Sequence, residues 1–229
     1  MTNRFYDRRE AGKYLAEKVK AYIKNNFNSE TERESFIVMA IPRGGVIIGD
    51  IIASELETDM DIIISKKIGA ENNPELAIGA VMADGSYIIN EDLVNRINIS
   101  DEYIHKQIEI QKKEIERRLL EFKGKKDYSN ELKDKIIILV DDGIATGATI
   151  LAAAKWIKEK QHSKRLIVAV PVAPAESNIL DKLHQISDKA IVILTPYDFA
   201  AVGQFYEHFD QVSDNEVKEI MNKYNHIQA

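Results

Sequence analysis

Adjacent carboxylates at Asp141 and Asp142 run straight into Gly143, Ile144, Ala145, Thr146, Gly147, Ala148 and Thr149, a stretch with little side-chain bulk. Two acids side by side repel a phosphate, so their use is to accept hydrogen bonds from sugar hydroxyls, directly or through Mg²⁺ and water. The residues after them favour the reverse. Gly143, Ala145, Gly147 and Ala148 let an anion approach backbone N–H groups, and Thr146 and Thr149 add hydroxyl donors. A phosphorylated sugar satisfies both halves. With no Lys in the Walker position and no G-x-G-x-x-G run, a nucleoside triphosphate or dinucleotide site is not indicated. A second stretch, Ile41-Pro42-Arg43-Gly44-Gly45, joins two glycines that free the backbone to a guanidinium suited to phosphate oxygens.

Such groups need rigid elements to aim them. Runs at Ser35 to Ile41, Asp61 to Ser65, Lys135 to Asp141, Arg165 to Pro171 and Lys189 to Thr195 are short, β-branched and without alternation, which predicts strands buried on both faces. Helical patterns at Val46 to Leu56, Ala148 to Lys160 and Glu176 to Ile186 fall between most of them. Strand and helix therefore alternate into an α/β, Rossmann-like parallel sheet with crossover helices. Both candidate stretches then lie at carboxyl ends of strands, where open sheets of this kind place ligands, and the helix starting near Gly147 points its N-terminus at the same spot.

Other elements surround this core. An Asp-x-x-Glu start at Asp7 and Glu10, with Ala11, Leu15, Val19, Tyr22 and Ile23 at helical spacing, predicts an amphipathic helix over residues 7–26. Ala77 to Asn90 reads as a hairpin turning at Asp84-Gly85. Ser100 to Phe122 reads as an inserted charged helix, with Ile104, Ile108, Ile115 and Leu119 on one face and Glu109/Lys113 and Glu114/Arg118 at i,i+4. The lysines of Lys123 to Asp127 read as a solvated loop.

The chain of 229 residues with 45% hydrophobic content suits one domain over 1–229, with its core at about 30–195. No cysteine is present, and His105, His162, His184, His208 and His226 lack metal-ligand spacing, so thiolate chemistry and Cys-based zinc sites are excluded. The N-terminus lacks the apolar core of a signal peptide and no apolar run reaches about eighteen residues. A cytoplasmic protein without a membrane partner is expected. A net charge of −6 gives no footprint for nucleic acid and favours a small-molecule partner.

ILVDDGIATGAT resembles the phosphoribosyl pyrophosphate (PRPP) binding motif of the type I phosphoribosyltransferases, and with PRGGV, KKIGAENNPELAIGAV and FAAVGQFYEHFDQVSD the resemblance spans most of the chain and points to a branch of uncharacterised members of that family. It implies the type I fold and transfer of a phosphoribosyl group from PRPP to a nitrogenous acceptor, with Mg²⁺ as cofactor held at Asp141 and Asp142 through water or PRPP. By the same resemblance Asp141 and Asp142 hold the ribose hydroxyls, Ala145 to Thr149 wrap the 5′-phosphate, and Arg43, Gly44 and Gly45 take the pyrophosphate. A mobile gate is implied at Lys66 to Glu75, where Lys66 or Lys67 neutralises the departing pyrophosphate and Glu75 is a candidate base. A homodimer is also expected.

The family covers its acceptor with a hood, here residues 196–229 together with the first helix, and Tyr197, Phe199, Phe205, Tyr206 and Phe209 offer either stacking for a base or packing onto the domain. Relatives that act on 6-oxopurines resemble one another in an Asp three residues after the second acid. Ala145 stands there, against hypoxanthine, guanine or xanthine. A PRPP-sensing regulator without transferase activity is the alternative.

Overall fold

In a computed structural model the described residues are 4–27, 35–124, 132–176 and 178–225. Helix α1 (Arg8–Asn26) starts at Asp7, whose Oδ1 accepts Glu10 N–H at 2.8 Å, while Glu10 Oε2 accepts the N–H of Tyr6 at 2.6 Å. Strand β1 (Phe36–Ala40) leads into α2 (Gly44–Leu56), then β2 (Asp59–Ile62). An antiparallel unit follows: β3 (Ser65–Ala70), β4 (Asn73–Met82) and β5 (Tyr87–Ile89). Next come a short helix α3 (Glu91–Arg96) and the long α4 (Asp101–Lys123). The chain returns to the core with β6 (Ile136–Val140), α5 (Ala148–Lys160), β7 (Arg165–Val172), α6 (Ile179–Ile186) and β8 (Lys189–Leu194). A 3₁₀ turn (Val202–Phe205) and α7 (Asp214–Asn225) end it.

The main sheet is parallel, in the order β2-β1-β6-β7-β8, and registers Phe36 on Ile136 and Ile136 on Arg165. Every residue of β1 and β6 is buried, as a strand covered on both faces requires. β8 departs from that expectation. Its residues Ala190 to Leu194 are only half-buried because the strand forms the sheet edge.

The run Asp61 to Ser65 is not one strand. β2 ends at Ile62, Ile63 N–H still reaches Ala40 O at 2.9 Å, and Ser65 already belongs to the second sheet. Ile63 and Ile64 are apolar because they stay buried through the exit. The hairpin turns at Asp84–Gly85 as its sequence predicts, and Trp156 Nε1 donates to Asp84 Oδ2 at 2.8 Å, pinning α5 to that turn.

α4 buries Ile104, Ile108, Ile115 and Leu119 as its spacing predicts, and Ser100 caps it by accepting Tyr103 N–H. Of the lysine run after it, Lys123 is a correction: it is buried and bonded to Asp61, which ties the helix end to β2, while residues 125–127 lie outside the described residues. α6 begins at Ile179, later than the predicted Glu176.

Candidate functional site

The strand order reverses between β1 and β6: from β1 the chain proceeds outward to β2, from β6 outward to β7. A reversal opens a crevice at the carboxyl ends of the two central strands. The loops that leave β1 and β6 meet in it. Ile41 N–H extends the ladder to Val140 O at 2.9 Å, and the Pro42–Arg43 peptide is cis. A Cβ on Gly44 would lie 1.8 Å from Asp142 Oδ2, and one on Gly45 3.0 Å from Val140 O. Both glycines are therefore required by the contact between the two loops.

Asp141 and Asp142 stand on the crevice floor. The N–H of Asp142 donates to Asp141 Oδ1 at 2.8 Å. Arg8, from the first turn of α1, donates through Nε to Asp142 Oδ2 at 2.8 Å and through Nη1 to Asp210 O at 2.8 Å, with its guanidinium 3.8 Å over the Phe209 ring. The Tyr206 hydroxyl donates to Asp142 O at 2.6 Å. Burial and then the neighbouring Asp142 charge push the Asp141 carboxyl well above the usual carboxylate range. Burial also raises Asp142, with Arg8 opposing it. The pair stands where the sequence puts it, but Asp142 is committed to the protein's own arginine, so Asp141 is the less encumbered acceptor.

Beyond the acids the chain turns through Gly147, which caps α5 at φ 76°, a left-handed conformation that favours glycine. No side chain caps the first turn of α5. Its N–H groups, with the helix dipole behind them, remain for an anion. Ala145 and Thr146 are exposed at the loop tip, Ala148 and Thr149 are half-buried, and Gly143 lies beneath Val202 of the 3₁₀ turn.

The segment that the resemblance makes a mobile gate is β-structure in the free protein. Lys66 and Lys67 pair with Val81 and Ala80 across β3 and β4, and the Gly, Asn and Pro residues form the tip, with register shifts around Gly69. Lys66 Nζ lies 3.9 Å from Glu114 Oε1, and Lys67 Nζ lies 2.9 Å from Glu75 Oε2. The Lys67 contact holds Glu75 ionised, below the usual range, with its side chain 89% exposed. Glu75 is thus turned outward and engaged, a poor posture for a base. Arg43 Nη1 lies 3.5 Å from Asp214 Oδ1 of α7.

The aromatic hood divides. Phe205 and Tyr206 are buried, Phe5 packs on Tyr206 at 5.5 Å between ring centroids, and Tyr206 packs on Phe209 at 4.9 Å. Phe5 N–H bonds to Phe205 O and Glu207 N–H to Phe5 O, so these rings fasten the two ends of the chain together. Tyr197 is 79% exposed, and half-buried Phe199 stacks on Phe205 at 5.3 Å. Those two remain available to a ligand.

Sequence reading missed Arg8, for which no local signal exists, and missed α7. The latter carried a signal: Ser213 accepts Glu216 N–H at 3.1 Å in an S-x-x-E start, followed by Val217, Ile220, Met221 and Tyr224 at helical spacing.

Among the described residues no group of three or more His, Cys, Asp or Glu could hold a metal ion. With Asp142 on Arg8 and Asp141 accepting a backbone N–H, a Mg²⁺ ion at this pair would have to bring most of its oxygen ligands with it. No helix among the described residues is long and apolar enough to cross a membrane.

Residues 6–200 match the family described as the phosphoribosyl transferase domain. The chain belongs to that family. A Mycobacterium tuberculosis relative, Rv0571c, named MT0597 in a second strain and provisionally called a phosphoribosyl transferase, is 32% identical over 219 residues, 96% of this chain and 46% of its own length. The chain thus spans about half the length of these curated relatives. The crystal structure of TT1426 from Thermus thermophilus is 31% identical with a TM-score of 0.76, over 96% of this chain and 99% of that one.

Proposed function

We propose that this protein transfers the 5-phosphoribosyl group of PRPP to a nitrogenous acceptor and releases pyrophosphate. One observation carries the reading: the acid-pair loop and the PRGG turn, each suited to a different part of one ligand, meet at the reversal of strand order, with Gly44 against Asp142. In this reading the unencumbered N–H groups at the start of α5, with Thr146 and Thr149, take the 5′-phosphate. Asp141 accepts a ribose hydroxyl. Asp142, fixed by Arg8, holds Asp141 in place and keeps negative charge beneath a sugar that turns cationic as the C1–O bond to pyrophosphate breaks. Arg43 and the backbone of Gly44 and Gly45 receive the diphosphate, whose growing charge Lys66 also faces.

Mg²⁺, held through water and the diphosphate beside Asp141, would supply further neutralisation of the leaving group. The acceptor nitrogen attacks C1 from the side of the hood, where Tyr197 and the outer face of Phe199 offer stacking to a planar ring. Ala145, lacking a carboxylate, supplies nothing to a 6-oxopurine N7, which favours adenine-like, pyrimidine-like or non-base acceptors.

The test is release of pyrophosphate from PRPP with a panel of purines, pyrimidines and nitrogenous carboxylates, run beside direct PRPP binding. Acceptor-dependent release is expected. Tight PRPP binding without release for any acceptor would replace transfer with PRPP sensing, and no PRPP binding would end both.

A further inference from the structure

The ladder between β3 and β4 keeps one register from Ser65 on Met82 to Ile68 on Gly79, and then it slips: Gly69 faces Ala77 and Ala70 faces Asn73. Burial changes at the same level. Ile68, Ala70, Ile78 and Ala80 are buried, whereas residues 71–76 are all exposed. The hairpin therefore has a packed base and a tip that leaves the body of the protein at Gly69. A register slip also takes backbone groups out of regular pairing, and a displaced carbonyl needs a partner from elsewhere.

Tyr103 supplies that partner. From the first turn of α4, 34 residues further along the chain, its hydroxyl donates to Gly69 O at 3.0 Å. The donor is well fixed: the half-buried ring packs against the core, and the N–H of Tyr103 is itself held by the capping Ser100 Oγ at 3.2 Å. The other side-chain bond of the tip, Lys67 Nζ to Glu75 Oε2, stays within the hairpin, and both its side chains are exposed. Among the described residues, Tyr103 is thus the one side chain from outside the hairpin that hydrogen-bonds residues 69–77.

A tip that folds over a ligand turns where packing and register end, at Gly69, and the Gly69 carbonyl turns with it. The Tyr103 hydroxyl cannot follow, because α4 is anchored by buried Ile104, Ile108, Ile115 and Leu119. We infer that Tyr103 is a positioning residue: through Gly69 O it latches the hairpin tip in its resting position, and closure over PRPP releases that bond. This rests on the transfer reading, which supplies the ligand. The latch sets a threshold. A ligand that favours the closed tip must offset the lost bond, so its apparent affinity is lowered by the share of molecules held at rest. The inserted helix α4 thereby governs binding through the hairpin.

The test is limited proteolysis of the full chain by a glutamate-specific protease, followed at Glu71 and Glu75 of the tip over a series of PRPP concentrations with Mg²⁺ present. Tyr103→Phe keeps the ring and removes the donor. Cleavage of the ligand-free protein should quicken by about two- to tenfold, the worth of one neutral hydrogen bond. The PRPP concentration that half-protects the tip should fall by a comparable factor. Tyr87→Phe removes a hydroxyl from an exposed residue of β5 in the same sheet and should change neither quantity. The direction of the second shift separates a latch from a brace, since loss of a brace would raise the half-protecting concentration. A raised or unchanged value for Tyr103→Phe, or ligand-free cleavage no faster than before, overturns the latch. So does a tip that PRPP never protects although calorimetry shows PRPP bound, an outcome that leaves the transfer reading standing. An unaltered protein that binds no PRPP by calorimetry removes both.

Discussion

Arg8 Nε donates to Asp142 Oδ2 across 2.8 Å and joins the first turn of α1 to the acid pair 134 residues further along the chain. The two side chains are 10% and 16% exposed. The same guanidinium stacks on Phe209 and bonds Asp210 O, so one residue holds the C-terminal segment, the N-terminal helix and the crevice floor together. Arg8→Ala leaves the Asp142 carboxylate recessed without this partner and should cost about 2–4 kcal/mol, less than a fully buried pair because some water reaches it. Asp142→Asn in the Arg8→Ala background should recover much of that loss. Urea unfolding at neutral pH measures both, and a double variant no more stable than Arg8→Ala would show that the charge pairing is not what matters.

Asp141 carries a predictable pH dependence. Its folded-state pKa is raised, so the folded protein holds that proton more tightly than the unfolded chain. The associated stability is fully present below the ordinary value of 3.8 and is lost as pH rises through the raised one. Above that raised value the ionised acid is a cost to stability. Asp141→Asn should raise stability by about 1–2 kcal/mol at pH 7, an advantage that fades toward about pH 4 as the unaltered acid protonates. PRPP binding should weaken in the same variant. Thermal unfolding across this range checks the sign: a less stable Asp141→Asn at pH 7 contradicts the electrostatics.

Much of this was legible in the sequence. Phe36 to Ala40 and Ile136 to Val140 announce central strands because burial on both faces leaves no room for polar alternation. Asp141 to Thr149 stands out because paired acids followed by small residues suit a loop at the carboxyl end of a strand, and the structure sets it at the reversal of strand order. The limits lie where one vocabulary serves two structures. Gly69, Asn72, Asn73 and Pro74 read as a loose loop, yet they form the tip of a hairpin in which a Cβ on Gly69 would lie 2.4 Å from Pro74 O. Ile63 and Ile64 continue an apolar run after the strand has ended, since hydrophobicity reports burial and not pairing. Arg8 is legible from no window at all, because its partner is set by tertiary structure.

Two glycine substitutions separate the site from the backbone. A Cβ on Gly44 would lie 1.8 Å from Asp142 Oδ2 and 2.9 Å from Arg8 Nε, groups that hold each other in place and cannot easily yield. Gly44→Ala should cost about 1–3 kcal/mol and weaken PRPP binding more than tenfold, by displacing the carboxylate pair. At Gly124 nothing lies within 4 Å of an added Cβ, and only its φ of 71° resists substitution. Gly124→Ala should lose about 1–2 kcal/mol and leave PRPP binding untouched. Equal effects on binding would mean that Gly44 acts only through backbone freedom.

The two lysines of the hairpin should part company. Successive side chains of a strand point to opposite faces, so Lys66 and Lys67 cannot face the same partner. Lys66 is already turned inward in the free protein, 3.9 Å from Glu114 of α4, and in the transfer reading it meets the diphosphate on binding. Lys66→Ala should therefore raise the PRPP dissociation constant with a comparable loss in kcat/KM, the mark of uniform binding. Lys67 is 47% exposed and paired with the still more exposed Glu75, so its loss should leave the thermal midpoint unchanged. It can reach the reacting centre only if the hairpin folds inward and gives up Glu75. A contact made only in that closed state acts on the transition state, and Lys67→Ala should lower kcat with little change in PRPP affinity. Closure should also protect the tip at residues 71–74 from proteolysis when PRPP and Mg²⁺ are added. Normal turnover by Lys67→Ala, with a tip cleaved equally fast with and without ligand, would leave this lysine as a solvated strand residue and Lys66 as the hairpin's one contribution to the site.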